Sequence, residues 1–124
     1  MGWSEQQIKI EYPCKAGRID IALFSKPYGH KNSKLKCIIE TKDFAKGLEN
    51  VDTQAKLYAE EFPDCKVIIV TSGYRYKIYL RKNGVFSDVP SSYLNLITPT
   101  DRYPLDPKKI SGALEALRWL LPGY

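Results

Sequence analysis

Asp20, Glu40 and Lys42 are the residues of this 124-residue chain whose types and setting could do chemistry, and that chemistry is metal-assisted phosphodiester hydrolysis. The run Cys37-Ile38-Ile39-Glu40-Thr41-Lys42 is apolar until it ends by setting an acid and a base two residues apart. Side chains alternate sides along a strand, so Glu40 and Lys42 fall on one face at its end. A second run, Arg18-Ile19-Asp20-Ile21-Ala22-Leu23-Phe24, embeds another acid in apolar surroundings. Cleaving a phosphodiester needs a poised water and neutralisation of charge in the transition state. A divalent cation held by a few hard oxygens supplies both. Asp20 and Glu40 are such donors, and the backbone carbonyl of Thr41 would be a third. Magnesium is the expected ion, with manganese able to substitute. Lys42 would stand beside the water and the scissile phosphate, offsetting the developing negative charge. The spacing alone also fits a salt-bridged cluster at a sheet end, since an acid-x-lysine triplet arises easily by chance. Among the glutamates, however, only Glu40 has lysine two residues later. A charged pair closing an apolar strand is costly unless it is paired or binds something.

The elements that must position these residues follow from periodicity. Ile8 to Tyr12 alternates apolar and polar and reads as a half-exposed strand stopping at Pro13, after which Ala16-Gly17 turns the chain into the Asp20 strand. Ser25 to Lys36 carries Pro27, Gly29 and Asn32 among four lysines, and is expected to be a solvated loop in which Lys34 is a candidate for contact with nucleic acid. Beyond Lys42 the pattern becomes helical through Leu48, Val51, Ala55, Tyr58 and Phe62. This helix has Asn50 or Asp52 near its start and Phe62-Pro63-Asp64 at its end. Cys65 to Thr71 is nearly continuous in apolar residues, as in a strand buried on both faces and parallel to the Glu40 strand. Strand, helix and strand then form a right-handed crossover.

Tyr74 to Arg81 alternates again, with Tyr74, Tyr76, Ile78 and Leu80 on one face and Arg75, Lys77, Tyr79 and Arg81 on an outward basic face. Arg75 and Lys77 there could meet phosphates. Asn83-Gly84 predicts a hairpin returning through Val85 to Val89. Pro90 to Asp106 reads as irregular, laid across the surface by Tyr93, Leu94, Leu96 and Ile97. Asp106-Pro107 is a helix start, followed by a stripe of Ile110, Ala113, Leu114, Leu117 and Leu121 that would cover one sheet face. The expected fold class is α/β (α+β), a central mixed sheet with a crossover helix and a C-terminal covering helix.

The length suits one domain over residues 1–124, with no linker dividing it. An apolar fraction of 44% and a charged fraction of 27% are ordinary for a soluble globular protein and argue against disorder. The net charge of +5 favours a polyanionic partner, although such an excess also occurs in proteins that never touch nucleic acid. Cys14, Cys37 and Cys65 are odd in number and lack a C-x-x-C pair, and only His30 could join them. They read as small buried hydrophobes in a reducing compartment, with no structural metal. No apolar stretch reaches the roughly 20 residues of a membrane span, and no signal region follows Met1, so the expectation is a cytoplasmic protein.

In order, Gly17-Arg18-Ile19-Asp20, Ile38-Ile39-Glu40-Thr41-Lys42, Gln54-Ala55-Lys56-Leu57-Tyr58-Ala59 and Val70-Thr71-Ser72-Gly73 resemble the PD-(D/E)xK nuclease superfamily. Within it the chain looks most like the N-terminal endonuclease domain of type I restriction enzyme R subunits and related restriction-like proteins. The resemblance implies a restriction-endonuclease-like sheet and a magnesium-dependent DNA endonuclease, with Asp20, Glu40 and Lys42 in the roles reasoned above. It further implies that Gln54 and Tyr58 form a Q-x-x-x-Y motif near the active site; four residues apart on a helix, they share a face. Arg18 and Thr71 would neighbour the site. Members of the group usually carry a helix before the Gly-Trp segment, which here opens the chain at Gly2-Trp3. The expectation is either that this helix is absent, leaving apolar surface for a partner or the C-terminal helix to cover, or that the chain is a fragment. There is no G-x-x-x-x-G-K-[ST] loop, so translocation would belong to another polypeptide, such as a partner restriction-modification subunit. Cutting both strands of a duplex needs a second site, a homodimer or two encounters. The alternative reading is a non-catalytic DNA-binding or assembly module of a restriction-modification complex.

Overall fold

The computed structural model describes residues 2–42, 51–97 and 110–122. After a 3-10 turn at Glu5–Gln7 come β1 (Ile8–Cys14), β2 (Gly17–Phe24) and β3 (Leu35–Thr41), then α1 (Val51–Ala59) and β4 (Val67–Thr71). β5 (Arg75–Lys82), β6 (Val85–Phe86), β7 (Ser92–Asn95) and α2 (Ala113–Trp119) complete the chain. They build a mixed α+β fold on one seven-stranded sheet, ordered β1-β2-β3-β4-β5-β6, with β7 also paired to β5. β3 and β4 are parallel and the other pairs antiparallel.

β4 is the centre of this sheet and is buried at every position, which is why its sequence is apolar without alternation. On one face Ile38, Ile68 and Val70 pack beneath Ala55, Tyr58 and Ala59 of α1. On the other, Ile69, Ile78 and Leu94 pack with Ala116 of α2. Each fully buried isoleucine or valine contributes about 2 kcal/mol. Cys37 and Cys65 are buried free thiols within these layers, while Cys14 is half-buried. No helix among the described residues is long and apolar enough to cross a membrane.

Several expectations are corrected by pairing that no local pattern announces. β1 runs through Pro13 to Cys14 because an edge strand leaves the proline nitrogen nothing to donate to. The expected solvated loop is present over Ser25 to Lys34, exposed and folded into turns tied by Ser25 N–H to Lys34 O at 2.9 Å and Ser33 Oγ to Lys26 O at 2.7 Å, but it ends before Leu35. Lys36 lies within β3, with its ammonium donating to Pro122 O at 2.8 Å. The segment expected to be irregular contains β7, whose four residues are all buried against β5, whereas Leu96 and Ile97 are exposed.

The face of β5 expected to be outward turns to the α1 layer at Tyr79 and Arg81, whereas Arg75 is exposed. Tyr79 is buried there and Arg81 binds the end of α1. The hairpin at Asn83-Gly84 forms as expected, both residues adopting positive φ, but its return strand stops at Phe86. The start expected at Asp106-Pro107 lies outside the described residues, as do Leu48 and Asn50. Ile110 and Ser111 precede α2, Ser111 bridging to Ser92, and the helix begins at Ala113. Its covered side is therefore Ala113, Ala116 and Trp119, while Leu114 of the expected stripe is 70% exposed.

Candidate active site

The two acids meet where the sheet opens. β2 and β3 are paired as far as Ile21 and Ile39, and beyond that rung Asp20 stands opposite Glu40. The Asp20 N–H donates to Glu40 Oε1 at 3.0 Å, and Asp20 Oδ2 accepts from Thr41 N–H at 2.8 Å and Thr41 Oγ1 at 3.0 Å. Each carboxylate thus takes up a backbone donor that the interrupted ladder leaves free on the other strand.

The cause of the opening lies one strand further out. Glu11 of β1 has φ 52°, and the β1–β2 ladder skips the Glu11–Asp20 position. Strand alternation would put Ile8 and Tyr12 on the same face, yet Ile8 packs with the α2 layer and Tyr12 with the α1 layer. Ile19 and Leu23 are divided in the same way. Both strands therefore invert at Glu11 and Asp20. The regular look of Ile8 to Tyr12 holds no sign of this, because a left-handed glutamate is not written in polarity.

Burial sets the electrostatics. Glu40 is 4% exposed, and loss of water raises its carboxyl to about 7. The neighbouring Asp20 charge pushes the same way, while the Asp20 N–H and the Lys42 charge pull it down. The two carboxyl groups lie within hydrogen-bonding reach of each other. Such a pair needs a proton or a cation between its members at neutral pH. Hard carboxylate oxygens in that setting suit magnesium or manganese. No group of three or more His, Cys, Asp or Glu gathers among the described residues. Lys42 follows β3, is exposed, and is anchored by its N–H to Thr71 O at 2.9 Å.

α1 brings Gln54 and Tyr58 to this place. Their side chains hydrogen-bond each other, and burial followed by the charges of Glu40, Cys14 and Asp20 raises the Tyr58 hydroxyl, a shift the Gln54 bond opposes. Tyr58 reaches the pair because β2 starts with glycine. A methyl group on Gly17 would meet the Tyr58 hydroxyl at 3.1 Å, and φ there is +149°. Gly17→Ala should cost about 1–2 kcal/mol, measured by urea unfolding; unchanged stability would show that Tyr58 does not depend on that approach.

The other candidates divide by place. Lys77 pairs with Val70, which pairs with Glu40, so it stands in the same rung as the acids, roughly 10 Å across two strand spacings. Paired residues share a face, so Lys77 and Glu40 share the α1 side. Arg75 lies near that sheet end with its guanidinium 5.1 Å from the Tyr74 ring centre. Arg18 is exposed beside Pro13, two residues from Asp20. Thr71 is buried, pairs with Thr41, and accepts the Gly73 N–H at 2.9 Å. Lys34 precedes β3 and is remote from Glu40, at the opposite end of that strand. Comparison with protein-family models, curated proteins and solved structures found no significant match.

Proposed function

We propose that this chain is a restriction-type endonuclease domain of the PD-(D/E)xK kind, hydrolysing phosphodiester bonds in DNA with magnesium. The observation that carries the reading is the meeting of two carboxyl groups, one of them buried, at an open sheet end beside Lys42. Asp20, Glu40 and the Thr41 carbonyl would hold the ion, which supplies Lewis acidity toward the phosphate and activates the attacking water. Thr41 holds Asp20 in place through two donors. Lys42 would offset the charge that grows on the phosphate oxygens, and Lys77, Arg75 and Arg18 would contact the DNA backbone. Tyr58, positioned by Gln54, adds a hydroxyl donor close to both acids.

A second reading, a non-catalytic DNA-binding or assembly module, is favoured by one fact: each carboxylate already accepts a backbone N–H, as a purely structural pair would. Incubating supercoiled plasmid with the protein in magnesium, manganese or EDTA separates the two. The first predicts metal-dependent nicking that vanishes in the folded Asp20→Ala, Glu40→Ala, Lys42→Ala triple variant. Salt-sensitive binding with no cleavage under either metal supports the second.

A further inference from the structure

A cavity of about 270 Å³ lies on the α1 side of the sheet, away from the carboxylates. Phe24 and Leu35, which help line it, are four and five residues along β2 and β3 from Asp20 and Glu40, a separation of roughly 15 Å. Four aromatic rings form its walls. Tyr12 meets Phe24 edge-on at 5.3 Å and Tyr28 at 5.8 Å, Phe24 meets Tyr28 at 5.2 Å, and Phe62 lies 6.2 Å from Tyr12. Tyr28 is 49% exposed although it belongs to this cluster. It is held there by its N–H to Gln6 O at 2.7 Å and by a hydrogen bond between its side chain and that of Tyr12.

The polar part of the lining is His30, Ser33, Lys34 and Asp64. Lys34 and Asp64 line the mouth, a donor and an acceptor for the edge of a heterocycle. Lys9 places its ammonium 4.6 Å from the Tyr28 ring centre, and Lys26 and Lys31 lie on the same turns, both exposed. Aromatic rings with lysines beside them are what an unpaired nucleotide requires, rings for its base and cations for its phosphates. A base within a duplex has both faces stacked and cannot offer them.

We propose that this cavity seats an unpaired nucleobase of a single-stranded DNA segment whose backbone runs over Lys9, Lys26, Lys31 and Lys34. It rests on the DNA reading above and narrows the substrate class to DNA with an unpaired stretch next to the bond that is cut. Lys34, remote from the acids, has its role here.

The test is fluorescence anisotropy with labelled oligothymidylate and a blunt duplex of equal length, in EDTA. The single strand should bind at least tenfold more tightly than the duplex. Tyr28→Ala should weaken single-strand binding by about 5- to 150-fold, while Tyr28→Phe keeps most of it. Lys34→Ala should lower the slope of log affinity against log salt by about 1. A 2-aminopurine in the strand should lose fluorescence on binding wild type and not Tyr28→Ala. Duplex bound as tightly as single strand, or unaltered affinity in a Tyr28→Ala protein with native circular dichroism, overturns the proposal. Thymidine monophosphate should compete weakly; equal affinity would make the ligand a free nucleotide and overturn the strand assignment. Metal-dependent cleavage with Tyr28→Ala affinity unchanged removes the pocket and leaves the nuclease reading intact, whereas failure of the wild type to bind any DNA removes both.

Discussion

Glu40→Gln should abolish metal-dependent cleavage and, in EDTA at pH 8, make the protein more stable than wild type. The two effects have one cause. Glutamine keeps an acceptor for the Asp20 N–H but brings no charge into a buried place, and it is a poor ligand for a hard cation. The carboxyl of Glu40 moves from an ordinary 4.5 to about 7 on folding. A carboxyl raised in this way stabilises the fold fully below 4.5, and that contribution is lost as pH rises through about 7. The gap corresponds to about 3 kcal/mol, which access of water at the open sheet end trims to about 2 kcal/mol. Urea unfolding in EDTA should therefore show the variant gaining on wild type between pH 5 and pH 8, and magnesium should narrow the difference by binding wild type alone. A variant no more stable than wild type at pH 8 would mean that Glu40 is satisfied as an anion without metal.

Arg81→Leu should destabilise the protein by about 3 kcal/mol, with Arg81→Lys recovering less than half. The guanidinium donates to Ala59 O at 2.9 Å, Pro63 O at 3.0 Å and Phe62 O at 3.3 Å, across the end of α1, and stands 4.6 Å from the Phe86 ring centre. It adds a second donor to Ala59 O and Phe62 O, which also accept the Phe62 and Cys65 N–H groups, and it donates to Pro63 O, while setting a cation at the negative end of the dipole. A lysine ammonium is a single point and cannot span three carbonyls. Because α1 carries Tyr58 and Gln54 to the acids, loss of Arg81 should also lower cleavage, through a loosened helix and with no change in metal affinity. Equal stability of the arginine and lysine forms in urea unfolding would show that charge alone is needed.

The sequence by itself determined the central buried strand and the hairpin turn, and it singled out the residues that carry the proposed chemistry. Cys65 to Thr71 is apolar without interruption because the central strand is covered on both faces, and an uninterrupted run has few other meanings. Asn83-Gly84 specifies its turn because both residues tolerate positive φ at low cost. Glu40 stood out because a charge closing such a strand needs a partner. The partner could be guessed as Asp20, but the way they meet is a property of two strands together.

Tertiary structure alone decided the rest, since each remaining feature depends on what lies across a gap in sequence. The left-handed Glu11 inverts β1 and β2 together, and only their pairing shows that the ladder opens at Asp20. β7 is a strand because β5 has a free edge to offer it. Arg81 and Tyr79 look like one side of an exposed hairpin until α1 covers that side. Alternation says that two faces differ, whereas the choice of which is covered is made by helices packed from elsewhere in the chain.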